Sequence, residues 1–205
     1  MLYIADYGVG NIFSLQSSFK FIGADACLTN DPDDLKKADR IILPGVGAFE
    51  DAAKKLKASG MWDAILSETS KGKPLLGICL GMQMLFQKSY EYGEHEGLGL
   101  VKGSICPIAP DVDQGLKIPH IGWNSLHFPK DKKKSEIYKY INEGDFVYFV
   151  HSYYGKECVE SMTAYTNYGA PLTASVQSGN VYGTQFHPEK SGDVGLKILK
   201  AFTEI

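Results

Sequence analysis

The chain has 205 residues, 44% hydrophobic and 22% charged, and its 21 Lys and Arg against 24 Asp and Glu leave a formal charge of −3. That length suits one domain whose core needs no disulfide or metal. The slight negative charge gives no basis for a nucleic-acid binder or a polybasic membrane surface. No apolar run approaches the roughly 18–20 residues that cross a bilayer, and the start, MLYIADYGVG, lacks a charged leader and a cleavage site. The cysteines Cys27, Cys79, Cys106 and Cys158 are too scattered for a zinc or redox pair, so the expectation is a reduced, cytoplasmic setting with no metal and no cofactor.

In chain order, LYIA at 2–5 reads as a buried strand, followed by a GVGN turn. Ile12, Leu15, Phe19 and Ile22 then recur at helical spacing up to Gly23. ACLT is a second strand, and Asp31-Pro32 opens a short helix. RIILPGVG is a third strand that runs into a glycine-rich loop, and FEDAAKKLKASG is a helix stopped by glycine. KPLLGIC is a fourth strand, with LGMQMLFQKS read as the helix after it. This alternation predicts an open, mostly parallel α/β sheet with helices on both faces. The second half reads as short strands, GLGLVKGSI, IGWNSLHF, FVYFVHSYY, SMTAYTN, LTASVQS and VYGTQFH, which implies added antiparallel strands. The last fifteen residues return to helix, with Val194, Ile198, Leu199 and Phe202 apolar. No repeat or linker divides residues 1–205, so one domain is expected. The block KDKKKSE at 130–136 reads as a solvated loop.

The sharpest chemical signal is Gly77-Ile78-Cys79-Leu80-Gly81, where an apolar strand ends, glycines flank a nucleophile and a helix begins. This is the nucleophile-elbow pattern with Cys in place of Ser. The free N–H groups of a helix start favour the thiolate, and the Leu80 amide is placed to serve one side of an oxyanion hole. Cys27, Cys106 and Cys158 lack such a setting and read as small core residues. A thiolate needs a base and the base an orienting acid. His187-Pro188-Glu189, delivered by the strand before it, is the best pair. The order Cys, His, acid disfavours an α/β-hydrolase, which runs nucleophile, acid, His. Pro44-Gly45-Val46-Gly47, at the carboxyl end of the third strand, falls where parallel sheets bind ligands. Its glycines can turn a backbone N–H of Val46 or Gly47 inward as the second oxyanion donor. Gly8-Val9-Gly10 resembles the start of a dinucleotide fingerprint, but Phe13 occupies the third glycine position. His95, His120 and His127 have no evident partner in the sequence.

Taken together, GICLGMQ, PGVG and HPEK resemble the class I, triad-type glutamine amidotransferases. DYGVGNI, HIGWN, YFVHSYY and HPEKS narrow the resemblance to the glutaminase subunits of imidazole glycerol phosphate synthases, over essentially the whole chain and in that family's order. The resemblance implies a Cys79, His187, Glu189 triad that hydrolyses L-glutamine to glutamate and ammonia through a glutamyl thioester. It implies a glutamine pocket formed by Gly45, Gln83, Glu91, Ser152 and Tyr153. It also implies a heterodimer with a separate (βα)₈-barrel cyclase subunit, contacted by Asn11, Trp123, Tyr148 and Lys190, in histidine and purine metabolism. From residue type alone Trp123 and Tyr148 could equally be core aromatics. A glutaminase of another synthase, such as a surface-sugar amidation paralogue, is the alternative in the same class, and an inactive α/β binding module the alternative outside it.

Overall fold

A computed structural model describes residues 1–205. The elements run β1 (Leu2–Ala5), α1 (Ile12–Phe21), β2 (Ala26–Thr29), β3 (Arg40–Leu43), α2 (Phe49–Ala58), α3 (Met61–Ser70), β4 (Leu75–Ile78) and α4 (Leu80–Met84). They continue as β5 (Phe86–Ser89), β6 (His95–Glu96), β7 (Val101–Pro107), β8 (His120–Ser125), β9 (Phe146–His151), β10 (Tyr153–Lys156), β11 (Met162–Tyr168), β12 (Ala170–Ser178), β13 (Val181–Thr184) and α5 (Gly192–Thr203).

The central sheet has seven strands in the order β11-β12-β13-β4-β3-β1-β2. Its β13-β4-β3-β1-β2 part is parallel, and β11 and β12 extend it antiparallel. Every residue of β1, β4 and β13 is buried, as expected for parallel strands covered on both faces. The strand pleat sorts alternate residues into two cores. Tyr3, Ala5, Ile41, Leu43 and Leu75 face α2, α3 and β7. Leu2, Ile4, Ile42, Leu76 and Ile78 face α1, α5 and β9. A four-stranded sheet, β10-β7-β5-β6, and the antiparallel pair β8-β9 are added to this frame.

The strand–helix frame matches the sequence reading, with three departures. The stretch after Cys79, expected to be one helix, makes only five helical residues and then becomes β5. Every residue of α4 is buried, so it carries no polar face to mark its length. The chain leaves the helix because Leu98 N–H and Val101 N–H bond the carbonyls of Met84 and Leu85, and β5 pairs with β7. The helix α3 is unanticipated: Gly60, in the left-handed region at φ 75°, ends α2 and at once caps α3. FVYFVHSYY is two strands, broken at Ser152.

The lysine block is also less solvated than expected. The Lys132 ammonium donates to the carbonyls of Val159, Glu160 and Met162, and Lys134 donates to that of Ile141, so these two lysines tie the loop down. Cys158 is buried in the core, whereas Cys27 is half-buried against it and Cys106 is half-buried outside it.

Candidate active site

Three segments meet at the carboxyl ends of β3, β4 and β13. At the end of β4, Cys79 takes φ 55° and ψ −111°, a conformation that costs a side-chain-bearing residue roughly 1–3 kcal/mol. The surrounding glycines make the turn possible. A Cβ on Gly77 would lie 2.6 Å from the Gly81 carbonyl oxygen, and one on Gly81 would lie 1.9 Å from that of Leu43. The Cys79 N–H donates to the Thr184 carbonyl at 2.7 Å, which ties the elbow to β13.

His187 follows β13 and is 2% exposed. Its N–H donates to the Tyr148 carbonyl at 3.0 Å, and its carbonyl accepts from the Ser191 hydroxyl at 2.6 Å. Pro188 starts a short 3-10 turn, Pro188–Lys190, which carries Glu189 back under the ring. His187 Nδ1 lies 2.8 Å from Glu189 Oε1, and the Glu189 side chain is 4% exposed. Burial pulls the imidazole pKa down, but hydrogen bonds from the ring to Cys79 and Glu189 outweigh it and raise it to about 10. The ring is therefore set to hold a proton beside the Cys79 sulfur. The three residues expected to act together are brought together.

Val46, Gly47, Cys79, Leu80 and His187 line a cleft of about 530 Å³, with Gln83, Glu91, Ser152 and Tyr153 on its other walls. That volume holds a small amino acid. Gly47 is at φ 93°, in the region that favours glycine, and Val46 is exposed in the mouth. Gly45, expected in the glutamine pocket, is not part of the lining. A Cβ there would lie 2.7 Å from Gly81 N, so this glycine serves the close approach of the loop to the elbow. Glu91 reaches across to accept the N–H of Phe49, the first residue of α2, just beyond the PGVG loop.

Four buried residues at or behind the cleft carried no clear sequence signal, and of these only His151 lines it. Tyr7 donates its hydroxyl to the Pro44 carbonyl at 2.7 Å and steadies the loop from below; burial raises its pKa. Gln185 is fully buried beside Cys79. His151 and His120 form a buried pair, Nε2 to Nδ1 at 3.0 Å, with His120 stacked between Phe149 and Tyr168. Burial lowers His120 to about 4 and His151 to about 3, so both rings are neutral. The His151 Nδ1–H donates to the Tyr153 carbonyl at 2.9 Å, which fixes its tautomer. His127 also has partners, Glu143 at 2.8 Å and Ser125 at 3.0 Å, and His95 stacks on Phe49.

The residues expected at a partner surface gather at one end. Trp123 and Tyr148 are cross-strand neighbours in the β8-β9 pair, with ring centroids 6.2 Å apart. Trp123 is 54% exposed, which decides against a core role. Lys190 is exposed on the turn next to Glu189, and Asn11 caps α1 nearby in sequence to the exposed Phe13.

The model for the family described as glutamine amidotransferase class-I matches residues 6–204. The chain is 49% identical to the imidazole glycerol phosphate synthase subunit HisH of Caldanaerobacter subterraneus subsp. tengcongensis, over 100% of this chain and 98% of that one. It is 47% identical to the subunit of the same name from Wolinella succinogenes, over 100% of both. Among solved structures, a glutamine amidotransferase superposes with a TM-score of 0.75 at 19% identity, covering 98% of each chain. PurLQS from Thermotoga maritima superposes with a TM-score of 0.74 at 19% identity, covering 99% of this chain and 97% of that one. These structural likenesses establish a shared fold.

Proposed function

The chain belongs to the class-I glutamine amidotransferase family, and from that premise we propose that it is the glutaminase subunit of an imidazole glycerol phosphate synthase. The observation that carries the reading is the buried His187–Glu189 pair beside Cys79 on a strained elbow, at the floor of a cleft sized for an amino acid. The HisH relatives, matched end to end, supply the synthase.

The Cys79 thiolate attacks the side-chain amide carbon of L-glutamine. Negative charge moves onto the amide oxygen, which the Leu80 N–H meets from one side and a Val46 or Gly47 N–H from the other. His187 gives its proton to the departing nitrogen, and ammonia leaves a glutamyl thioester on Cys79. The now neutral ring takes a proton from water, whose hydroxide displaces the thiolate and releases glutamate. Glu189 holds the ring in the tautomer that presents Nε2 to the sulfur and stabilises its charged form. Gln83, Glu91, Ser152 and Tyr153 hold the amino-acid end of the substrate.

Ammonia released into neutral water is protonated and loses its nucleophilicity, so a water-excluding path to a second active site is required. In this reading the second site belongs to a separate (βα)₈-barrel cyclase, which docks over Asn11, Trp123, Tyr148 and Lys190 and makes imidazole glycerol phosphate for histidine biosynthesis. Exposed aromatics at that end, Phe13 at 81% and Trp123 at 54%, support docking there, since such side chains anchor interfaces. A cytoplasmic location goes with that pathway and with four free cysteines.

The test is co-purification with candidate cyclase subunits, followed by assay of glutamate release with and without the cyclase's ligand. Cys79→Ser is expected to abolish glutamine-dependent synthesis while the complex still runs on external ammonium. Glutamine-dependent synthesis that survives in Cys79→Ser would overturn the assignment.

A further inference from the structure

Gln185 is the one fully buried polar side chain that touches the nucleophile and has no role in the mechanism above. Its Nε2 lies 3.8 Å from Cys79 Sγ, and its Oε1 lies 3.0 Å from Gln83 Nε2. Its own N–H donates to the Ala174 carbonyl at 2.8 Å, which holds the backbone in place.

Oxygen and nitrogen of an amide differ little in shape, so the direction of each group has to follow from its partners. Here the Tyr153 carbonyl decides it. A backbone carbonyl only accepts, and this one accepts from His151 Nδ1–H at 2.9 Å and from Gln83 Nε2 at 3.1 Å. Gln83 must therefore turn its NH₂ group inward. The second hydrogen of that group points at Gln185, which must answer with its oxygen. Reversing Gln185 would set two NH₂ groups face to face in a buried contact, with the facing hydrogens of both unsatisfied. The NH₂ group of Gln185 is left facing the sulfur.

We propose that Gln185 is a catalytic residue whose amide N–H donates to Cys79 Sγ and stabilises the thiolate both as the entering nucleophile and as the group expelled when water opens the thioester. The bond matters most when the sulfur carries full charge, because a charged acceptor roughly doubles the strength of a hydrogen bond. A thioester sulfur is a poor acceptor, so the stabilisation fades on acylation and returns on release. No atom is transferred: the amide keeps its hydrogens throughout. Other titratable groups face the sulfur from separate elements. They are His187 after β13, with Glu189 behind it, and Tyr7 after β1, while His151 on β9 faces His187. None of them is changed in the variants below.

This inference deepens the glutaminase reading and takes the reaction from it, but the sulfur chemistry can be read without glutamine. The measurement is the rate of alkylation of Cys79 by iodoacetamide across a pH series in the full chain, followed on the Cys79 peptide. Gln185→Met, similar in size but with no donor, is expected to move the midpoint upward by about one pH unit. That is about tenfold slower alkylation below the midpoint. Gln83→Met leaves the Gln185 amide with nothing to set its direction, and is expected to move the midpoint the same way by less. If Gln185→Met does not fold, Gln185→Glu keeps the shape but presents an acceptor to the sulfur, and the upward shift is expected to be larger. Coincident midpoints in the folded variants would overturn the role of Gln185. If the unaltered complex turns over no glutamine, yet Gln185→Met still shifts the midpoint, the glutaminase reading is overturned and Gln185 remains a thiolate donor.

Discussion

His187 is pulled in two directions, by burial toward the neutral ring and by Cys79 and Glu189 toward the charged one, and the charged form wins. Glu189→Gln keeps a hydrogen-bonding partner for Nδ1 but removes the charge. Turnover is expected to fall roughly a thousandfold with little change in glutamine affinity; activity within about threefold of the unaltered enzyme would remove Glu189 from the triad. The buried pair His120 and His151 behaves oppositely. Their folded pKa values, about 4 and about 3, lie below the ordinary histidine value, so the unfolded chain binds protons that the folded one refuses. Stability from this pair is complete above about pH 6.5 and is lost as pH falls toward 4. The raised value at His187 has the other sign: its contribution is lost only as pH rises toward 10. Thermal unfolding should therefore be nearly level from about pH 7 to 6.5 and fall from there to about pH 5, and His120→Gln should make that fall shallower. Cys79, His187 and Glu189 were legible because each sits in a short motif with its glycines or proline beside it. The His120–His151 pair and the role of Gln185 were not, since their partners lie 31 and 102–106 residues away in the chain and only strand pairing brings them together.

The elements that announce themselves in the sequence are those with a one-sided or wholly apolar pattern, such as α1 with Leu15 and Phe19 inward, or β4 with four buried residues. α4 was misjudged in length because no polar face marks where it stops, and α3 because Gly60 serves two helices at once. The PGVG loop was legible as a hinge of backbone, but Gly45's part in it was not. A glycine that touches ligand and one that touches a neighbouring turn look alike until the neighbour, Gly81, is in place. The loop's own donor is testable. Val46→Pro removes an N–H from the mouth of the cleft, and a clear loss of activated glutaminase rate is expected. Trp123→Ala, on the exposed face of β8, should weaken activation or assembly while leaving the unfolding temperature of the free chain nearly unchanged. If both variants match the unaltered complex in rate and affinity, neither the loop nor that face takes part.

On the scale of the whole molecule, the free chain is expected to hydrolyse glutamine slowly and to speed up with a ligand-loaded cyclase. Gly47 is already in the left-handed region, and a glycine-flanked peptide has alternative orientations of similar energy. Moving such a loop from about 1% to nearly full population of its donor state needs roughly 3 kcal/mol of preferential binding, within the range of ordinary coupling between sites. Equal rates with and without partner and ligand would show that no such coupling operates.

The two cores meet at the elbow. Cys79 belongs to the one under α1 and α5, while its neighbour Leu80 belongs to the one under α2 and α3. Two consecutive residues are thus riveted into opposite sides of the central sheet, and parting either layer would displace the sulfur or the amide beside it. In deuterium exchange the amides of Cys79 and Gln83, bonded to the Thr184 and Cys79 carbonyls, should be among the last to exchange, opening only when the whole molecule unfolds. Those of Val46 and Gly47, in the exposed mouth, should exchange early. The catalytic apparatus is then half stiff and half soft, and a signal from a partner can be received only by the soft half.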